Sequence, residues 1–445
     1  MKQLLTPALA LTLTLTLMPA LAQASEPSDV QSFTLDNGMK ILVLEDHAIP
    51  NANMYLFWKV GSRNEVPGIT GLSHFFEHMM FNGSKNYGPK MFDRTMEAAG
   101  GANNAYTTEN VTVYTDWFPA DAIETIFKLE SDRIAHLNID AKMVESERNV
   151  VASERTTGLE NSNWRALQEE VKATAFRAHP YSWSVIGHES DIYAWTLDDL
   201  KQYHKTYYAP NNAVVVIAGA VEFEQVKALS EHYFGTIPAQ TPPAKVRTVE
   251  PEQKGERRVY VRKESVTSPN LMFAYHVPET QHQDSYALDV LMSLLIDGNS
   301  ARLNKALVDE QQLALGIDGY VPESFDPNLL YLFAVAKPGV TAATLEQAMI
   351  TEINKVAADG VTQDELDKIK NAKLMGFYDT LETINGRANT LGTYELFQGD
   401  WRKMYSAPEA YAKVTREDVQ RVARTYLKKS NRTVGVLAAE EDNDQ

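Results

Sequence analysis

The chain has no cysteine, so it forms neither a disulfide framework nor a thiolate metal site. It is also short of positive charge. Lysine and arginine total 42 against 59 aspartates and glutamates, a net charge of −17, which argues against a nucleic-acid partner. An acidic surface steers basic peptides by long-range attraction, or only keeps a protein in solution. Beyond the first two dozen residues no run is long and apolar enough to span a membrane. Length is ample: 445 residues make two or more domains with a sizeable core.

The N-terminus has the pattern of an export leader. Lys2 supplies a positive charge, Leu4 to Leu17 is apolar and threonine-rich, and Ala20-Leu21-Ala22 is a cleavage site of the A-x-A type. Cleavage after Ala22 and an exported protein, in a bacterial periplasm, are expected.

The next stretch reads as α+β. Phe33-Thr34-Leu35, the turn Asp36-Asn37-Gly38 and Ile41 to Leu44 signal a hairpin, and Asn53 to Val60 a further strand. Residues Gly71 to Tyr87 carry His74-Phe75-Phe76-Glu77-His78, an H-x-x-E-H pattern. On a helix, residues three and four apart share a face. The two imidazoles therefore project side by side with Glu77 next to His74. That set suits tetrahedral zinc, with a carboxylate to take a proton from zinc-bound water. Phe75, Phe76, Met79 and Met80 make the helix apolar on nearly every side, so it should be buried, and buried polar groups need partners.

Lys90 to Ala99 is a helix stopped by Gly100-Gly101. Ala102 to Thr107 has small residues where a core strand wants large ones. It is either a sheet edge that accepts an extended peptide by strand addition, or a polar edge strand or loop. Asp121 to Leu137 is an amphipathic helix. A second starts at Asp140, a plausible N-cap, and its stripe runs Met143, Glu147, Val150, Glu154 with Val144 and Val151 alongside. The two glutamates on this apolar stripe pair with Arg148 or Arg155, or one of them supplies the third protein ligand that zinc sites commonly have.

H-x-x-E-H followed 76 residues later by Glu154 resembles the pitrilysin, insulinase and mitochondrial processing peptidase family. Glu147-Arg148-Asn149-Val150-Val151-Ala152-Ser153-Glu154 is similar to the family's E-R-x-x-V-x-x-E helix. Gly100 to Thr107 resembles its substrate-pairing edge strand, and His179-Pro180-Tyr181 through Gly187 a family loop. The resemblance implies a zinc endopeptidase with one Zn²⁺ per chain held by His74, His78 and Glu154, Glu77 as general base and Glu147 as a supporting acid. Gly101, Ala102, Asn103, Asn104, Ala105 and Tyr106 would bind substrate. His179, His188 and His232 are structural or exposed.

The proline-rich run from Ile237 to Lys245 is a linker, after which the pattern restarts. Arg258 to Val261, Leu271 to Val277 and the apolar helix Tyr286 to Leu295 echo the first half, but that helix has no histidine. The expected architecture is a leader over 1–22, a zinc-bearing domain over 27–236, a linker over 237–250 and a homologous metal-free domain over 251–440. Each domain is a mostly antiparallel sheet packed with helices, and the family arranges such halves as a clamshell around a chamber. Active members present an arginine and a tyrosine from the second half, in a stretch like L-R-E-x-x-G-L-x-Y. Here Val308 and Leu315 occupy those positions, and Arg302 and Tyr320 are too far apart to replace them. The resemblance thus implies a homologous partner chain that supplies the pair, or a self-sufficient monomer or homodimer. The alternative function is a non-catalytic peptide-binding or scaffold subunit.

Overall fold

The computed structural model describes residues 29–439; the expected leader lies outside the described residues. Strands β1 (Val30–Thr34), β2 (Lys40–Glu45), β3 (Asn51–Trp58), β4 (Ala102–Thr107), β5 (Thr112–Pro119) and β6 (Ala213–Gly219) form a six-stranded sheet in the order β1-β2-β6-β3-β5-β4. Strands β7 (Arg257–Arg262), β8 (Asn270–Val277), β9 (Ala314–Tyr320), β10 (Asn328–Ala336) and β11 (Arg432–Ala438) form a second sheet in the order β7-β11-β8-β10-β9. Without β1 the two orders are one topology. β2 pairs parallel with β6 as β7 does with β11, and the remaining pairs are antiparallel. The α+β repeat is therefore present in the fold.

The first half carries helices α1 (Leu72–Met79), α2 (Met91–Ala98), α3 (Ile123–His136), α4 (Ala141–Asn161), α5 (Asn163–Ala175), α6 (Glu189–Ala194), α7 (Leu197–Tyr207) and α8 (Phe223–Tyr233). The second carries α9 (Ser285–Ile296), α10 (Ala342–Asp359), α11 (Gln363–Leu381), α12 (Ile384–Thr393), α13 (Lys403–Lys413) and α14 (Arg416–Tyr426). Local chemistry sets many of these ends. The β1–β2 turn needs Gly38 at φ 87, and the Thr196, Thr362 and Thr415 hydroxyls cap α7, α11 and α14 in capping boxes. Among the described residues no helix is long and apolar enough to cross a membrane.

Each sheet has two apolar faces, and its own helices cover only one. Met54, Leu56 and Trp58 of β3 pack with Phe75, Phe76 and Phe127 of the same half. On the opposite face Leu42, Tyr55, Phe57 and Val216 are covered by Ala388, Leu391, Phe397 and Trp401, all from the second half. The exchange is mutual. Leu167, Val171 and Ala175 of α5 lie on Met272, Ala274, Tyr331 and Leu437 of the second sheet. Both contacts depend on a missing side chain. A Cβ on Gly392 of α12 would stand 2.0 Å from the Phe57 ring, and one on Gly435 of β11 would stand 2.4 Å from Val171. Phe57 and Val171 are buried and have no room to retreat.

Gly392→Ala and Gly435→Ala are each expected to lower stability by about 1–3 kcal/mol, measured by denaturant unfolding. Since the contacts join the halves, one cooperative transition should shift as a whole.

Candidate metal centre

The start of α1 is fixed by two groups distant from its tip. Gly71, its N-cap, has φ 89, and a Cβ there would lie 2.4 Å from the Ile186 carbonyl oxygen, so glycine alone fits. Glu65, 1% exposed, receives the Gly71 N–H at 2.7 Å and the Ser73 N–H at 2.8 Å. Burial pushes its carboxyl up to about 8, against the pull of those two N–H groups. Leu72, Ser73, Phe75, Phe76 and Met79 are buried. His74, Glu77 and His78 are the residues of α1 that keep partial access to solvent.

α4 brings the acids. Asp140 caps it, accepting from the Lys142 and Met143 N–H groups at 2.9 and 3.0 Å. Glu154 reaches between the two histidines, with Oε1 3.8 Å from His74 Nε2 and Oε2 3.4 Å from His78 Nε2. The rings are 4.8 Å apart, and the three donor atoms lie within 4.8 Å of one another. Glu147 does a different job: its Oε1 is 2.8 Å from His78 Nδ1, and its Oε2 accepts from Asn82 Nδ2 at 2.6 Å. A histidine that gives its Nδ1 proton to a carboxylate leaves Nε2 as a free donor pair. Glu77 Oε2 accepts from the Thr107 hydroxyl at 2.6 Å, which joins α1 to the last residue of β4.

The electrostatics show two imidazoles competing for one proton. Burial and the neighbouring His78 charge push His74 down to about 4. Burial alone would lower His78 too, but hydrogen bonds to Glu147 and Glu154 overcome it and hold it at about 9. Burial raises Glu77, while hydrogen bonds to His78 lower Glu147 and Glu154. Two imidazole nitrogens and one carboxylate, with a second carboxylate behind one ring, fit a zinc-type cation in place of that proton. His74 Nδ1 is buried and has no hydrogen-bond partner. A cavity of about 250 Å³ beside the cluster is lined by His74, Thr107, Glu154, Arg165 and Gln168. Among the described residues Glu45, His47 and Glu222 also converge. There Glu45 is committed to the Phe223 N–H at the start of α8, where the helix dipole disfavours a cation.

Two expectations for α4 change. Val150 is 50% exposed, so it does not belong to the stripe. The buried positions are Val144, Arg148, Val151 and Ala152, with both glutamates on the flank. The cause is Arg148, whose guanidinium turns inward to the Ile192 and Trp195 carbonyls. Arg155 pairs with Glu169 at 2.6 Å. Neither arginine neutralises Glu147 or Glu154, so the salt-bridge alternative fails.

β4 is an edge strand, paired only with β5, and not a loop. Its residues alternate. Ala102, Asn104 and Tyr106 are exposed, while Asn103, Ala105 and Thr107 are half-buried, with Gly101 leading in. His179 is buried with Nδ1 accepting the Tyr181 N–H, and His188 and His232 are exposed. Val308 packs against the second core and Leu315 is exposed. Arg302 is tied to Glu365 by two 2.8 Å hydrogen bonds, and the Tyr320 hydroxyl accepts from Gln168. Three supporting residues escaped the sequence reading: Glu65, Asn82 and Thr107. Only Asn82 had a local signal, an amide four residues after His78 in the turn that closes α1.

Residues 40–189 match the family profile described as Insulinase (Peptidase family M16), and residues 194–373 the one described as Peptidase M16 inactive domain. Zinc protease PqqE of Helicobacter pylori is 31% identical, with 92% of each chain aligned. The crystal structure of a protease from Helicobacter pylori has a TM-score of 0.89 at 31% identity, covering 92% of this chain and 99% of that one. The periplasmic protease PqqL from Escherichia coli has a TM-score of 0.78 at 18% identity, covering 94% of this chain and 48% of that one.

Glu65→Ala leaves two helix-start N–H groups without partners in a dry site. A loss of about 1–3 kcal/mol is expected, read as a lowered unfolding midpoint.

Proposed function

Because the chain belongs to the insulinase (M16) family of peptidases, we propose that it is a zinc-dependent endopeptidase acting on extended peptides or unfolded segments. The observation that carries this reading is the convergence of His74, His78 and Glu154 donor atoms, with Glu77 on the same face of α1. His74, His78 and Glu154 would hold the zinc, which would supply an acidified water and a Lewis acid for the scissile carbonyl. Glu77 takes the proton of the attacking water and delivers it to the leaving amine. Thr107 holds Glu77 in place, and the Asn82–Glu147 pair sets the His78 ring. The free edge of β4 pairs with the peptide backbone, so affinity comes from main-chain hydrogen bonds and preference from side-chain pockets. An enclosed chamber would restrict the substrate to chains without stable structure.

The second half offers no oxyanion donor in the expected positions, since Val308 and Leu315 are apolar and Arg302 is held by Glu365. We therefore propose a homologous partner chain carrying the arginine and tyrosine, and export to the periplasm with removal of the leader near Ala22. The scaffold alternative would be accompanied by a worn motif, and here H-x-x-E-H and Glu154 are all present.

About one zinc per chain is expected by elemental analysis, and it should be lost in His74→Ala, His78→Ala or Glu154→Ala. Glu77→Gln should keep zinc and lose peptide hydrolysis, because an amide is no base; full turnover in that variant would overturn the mechanism. Adding a homologous chain with the arginine–tyrosine pair should raise turnover roughly 10²–10³-fold. High activity of the lone chain, indifferent to such a partner, would remove the heterodimer.

A further inference from the structure

We propose that Arg165 reads a carboxylate on the bound peptide, so that the site prefers a glutamate or aspartate side chain within two residues of the scissile bond. This rests on the reading of the cluster as a peptidase centre and of β4 as its peptide-pairing edge, and it names the substrate class that the centre takes.

The cavity of about 250 Å³ that opens at His74 and Glu154 begins where β4 ends. Thr107, the last residue of β4, lines it and also holds Glu77. A peptide that runs along β4 to the cluster therefore carries its next side chain into this space, which has room for one. Arg155, Arg165 and Lys172 line it together with Glu109, Glu154 and Glu169. Four of these cancel in pairs. Arg155 holds Glu169 through hydrogen bonds of 2.6 and 2.9 Å, and Lys172 Nζ donates to Glu109 Oε1 at 2.5 Å. Glu154 belongs to the metal set. Arg165 is left over.

The Arg165 backbone N–H donates to Ser162 Oγ at 3.2 Å. Among the described residues its exposed guanidinium has no hydrogen-bond or ion-pair partner. In a chain with 59 acids against 42 lysines and arginines, that is not for want of acids. Nor does the position suit a cation for stability. Arg165 stands in the first turn of α5, where the helix dipole favours acids, and α5 has none there. The head group is nevertheless well placed. A Cβ on Gly158 would stand 2.9 Å from Arg165 Nη1. The guanidinium thus lies on a bare point of α4 one turn past Glu154, on the same helical face. An acidic side chain of the peptide meets there a fork of N–H donors that matches its two oxygens. A lysine meets like charge. In an endopeptidase the chain ends lie away from the cut, so the carboxylate is a side chain's.

The test uses labelled peptides blocked at both ends, with one cleavage sequence and Glu, Gln or Lys placed one, two or three residues from the cut on either side. Glu and Gln have the same shape, so their difference reads charge. Affinity is measured by fluorescence anisotropy on zinc-loaded Glu77→Gln protein, and kcat/KM of the unmodified enzyme is scored separately. An enzyme that cuts no peptide would sink the peptidase reading and leave the affinities to decide this one. Glu is expected to bind roughly tenfold tighter than Gln at one position within two residues of the cut, on one side. With Arg165→Gln added the two should bind equally, and with Arg165→Glu added Lys should become the preferred residue, zinc content being checked in each protein. Arg165→Gln should not lower the unfolding midpoint. Equal affinities of Glu and Gln at every position, a preference that survives Arg165→Gln, or a lowered midpoint, the mark of a structural arginine, would overturn the proposal. So would a uniform fall in turnover in Arg165→Gln with the Glu-to-Gln ratio intact, which would give Arg165 to the oxyanion instead.

Discussion

Both sheets of this molecule depend on helices that cross from one half to the other. A sheet with two apolar faces is stable only when both are covered, and neither half has enough helix to do that alone. α12 closes the first sheet and α5 closes the second. Removing either half would expose apolar surface at roughly 25 cal/mol per Å². This explains why a half without metal-binding residues is retained intact. Its core is a wall of the other half as much as its own, so it can lose the chemistry of α1 from α9 without losing its shape.

The candidate metal centre is built where the first core fails to be apolar. α1 is sealed by aromatic residues on most of its surface, and the remaining face holds three titratable side chains against two more from α4. Such a set cannot be buried with its ordinary charges. His78 holds a proton more firmly than His74, and two of the three acids are fixed by donors: Thr107 for Glu77, Asn82 and His78 for Glu147. Such a set suits a cation, since a doubly charged ion can neutralise in one step what protons neutralise only in part.

What could be read from the sequence was what is local in the chain. The hairpin turn, the Asp140 cap, the H-x-x-E-H face and the restart after the proline-rich run all act within a few residues, and the fold contains each of them. The stripe on α4 was legible only in part. Val150 and Val151 are equally apolar, and only the inward turn of Arg148 to the Ile192 and Trp195 carbonyls decides which is buried. Glu65 lies six residues before the Gly71 N-cap, too far along the chain to suggest a cap, and is recognised only by its two hydrogen bonds. The helix exchange has no sequence signal at all. Gly392 looks like a poor helix residue until Phe57, more than three hundred residues earlier, is found against it.

The free edge of β4 also sets a colloidal condition. A row of unpaired backbone groups pairs as readily with another copy of the same strand as with a peptide. β9 ends the second sheet with a similar edge and an exposed Leu315. Neither strand carries a lysine or a proline to blunt it. The protection is global instead. A net charge of −17 keeps copies from meeting edge to edge, and it does so over a distance set by the ionic strength. The acidity of the chain is thus the counterpart of its open strand, and acid or salt that removes the repulsion exposes the protein to stacking on itself.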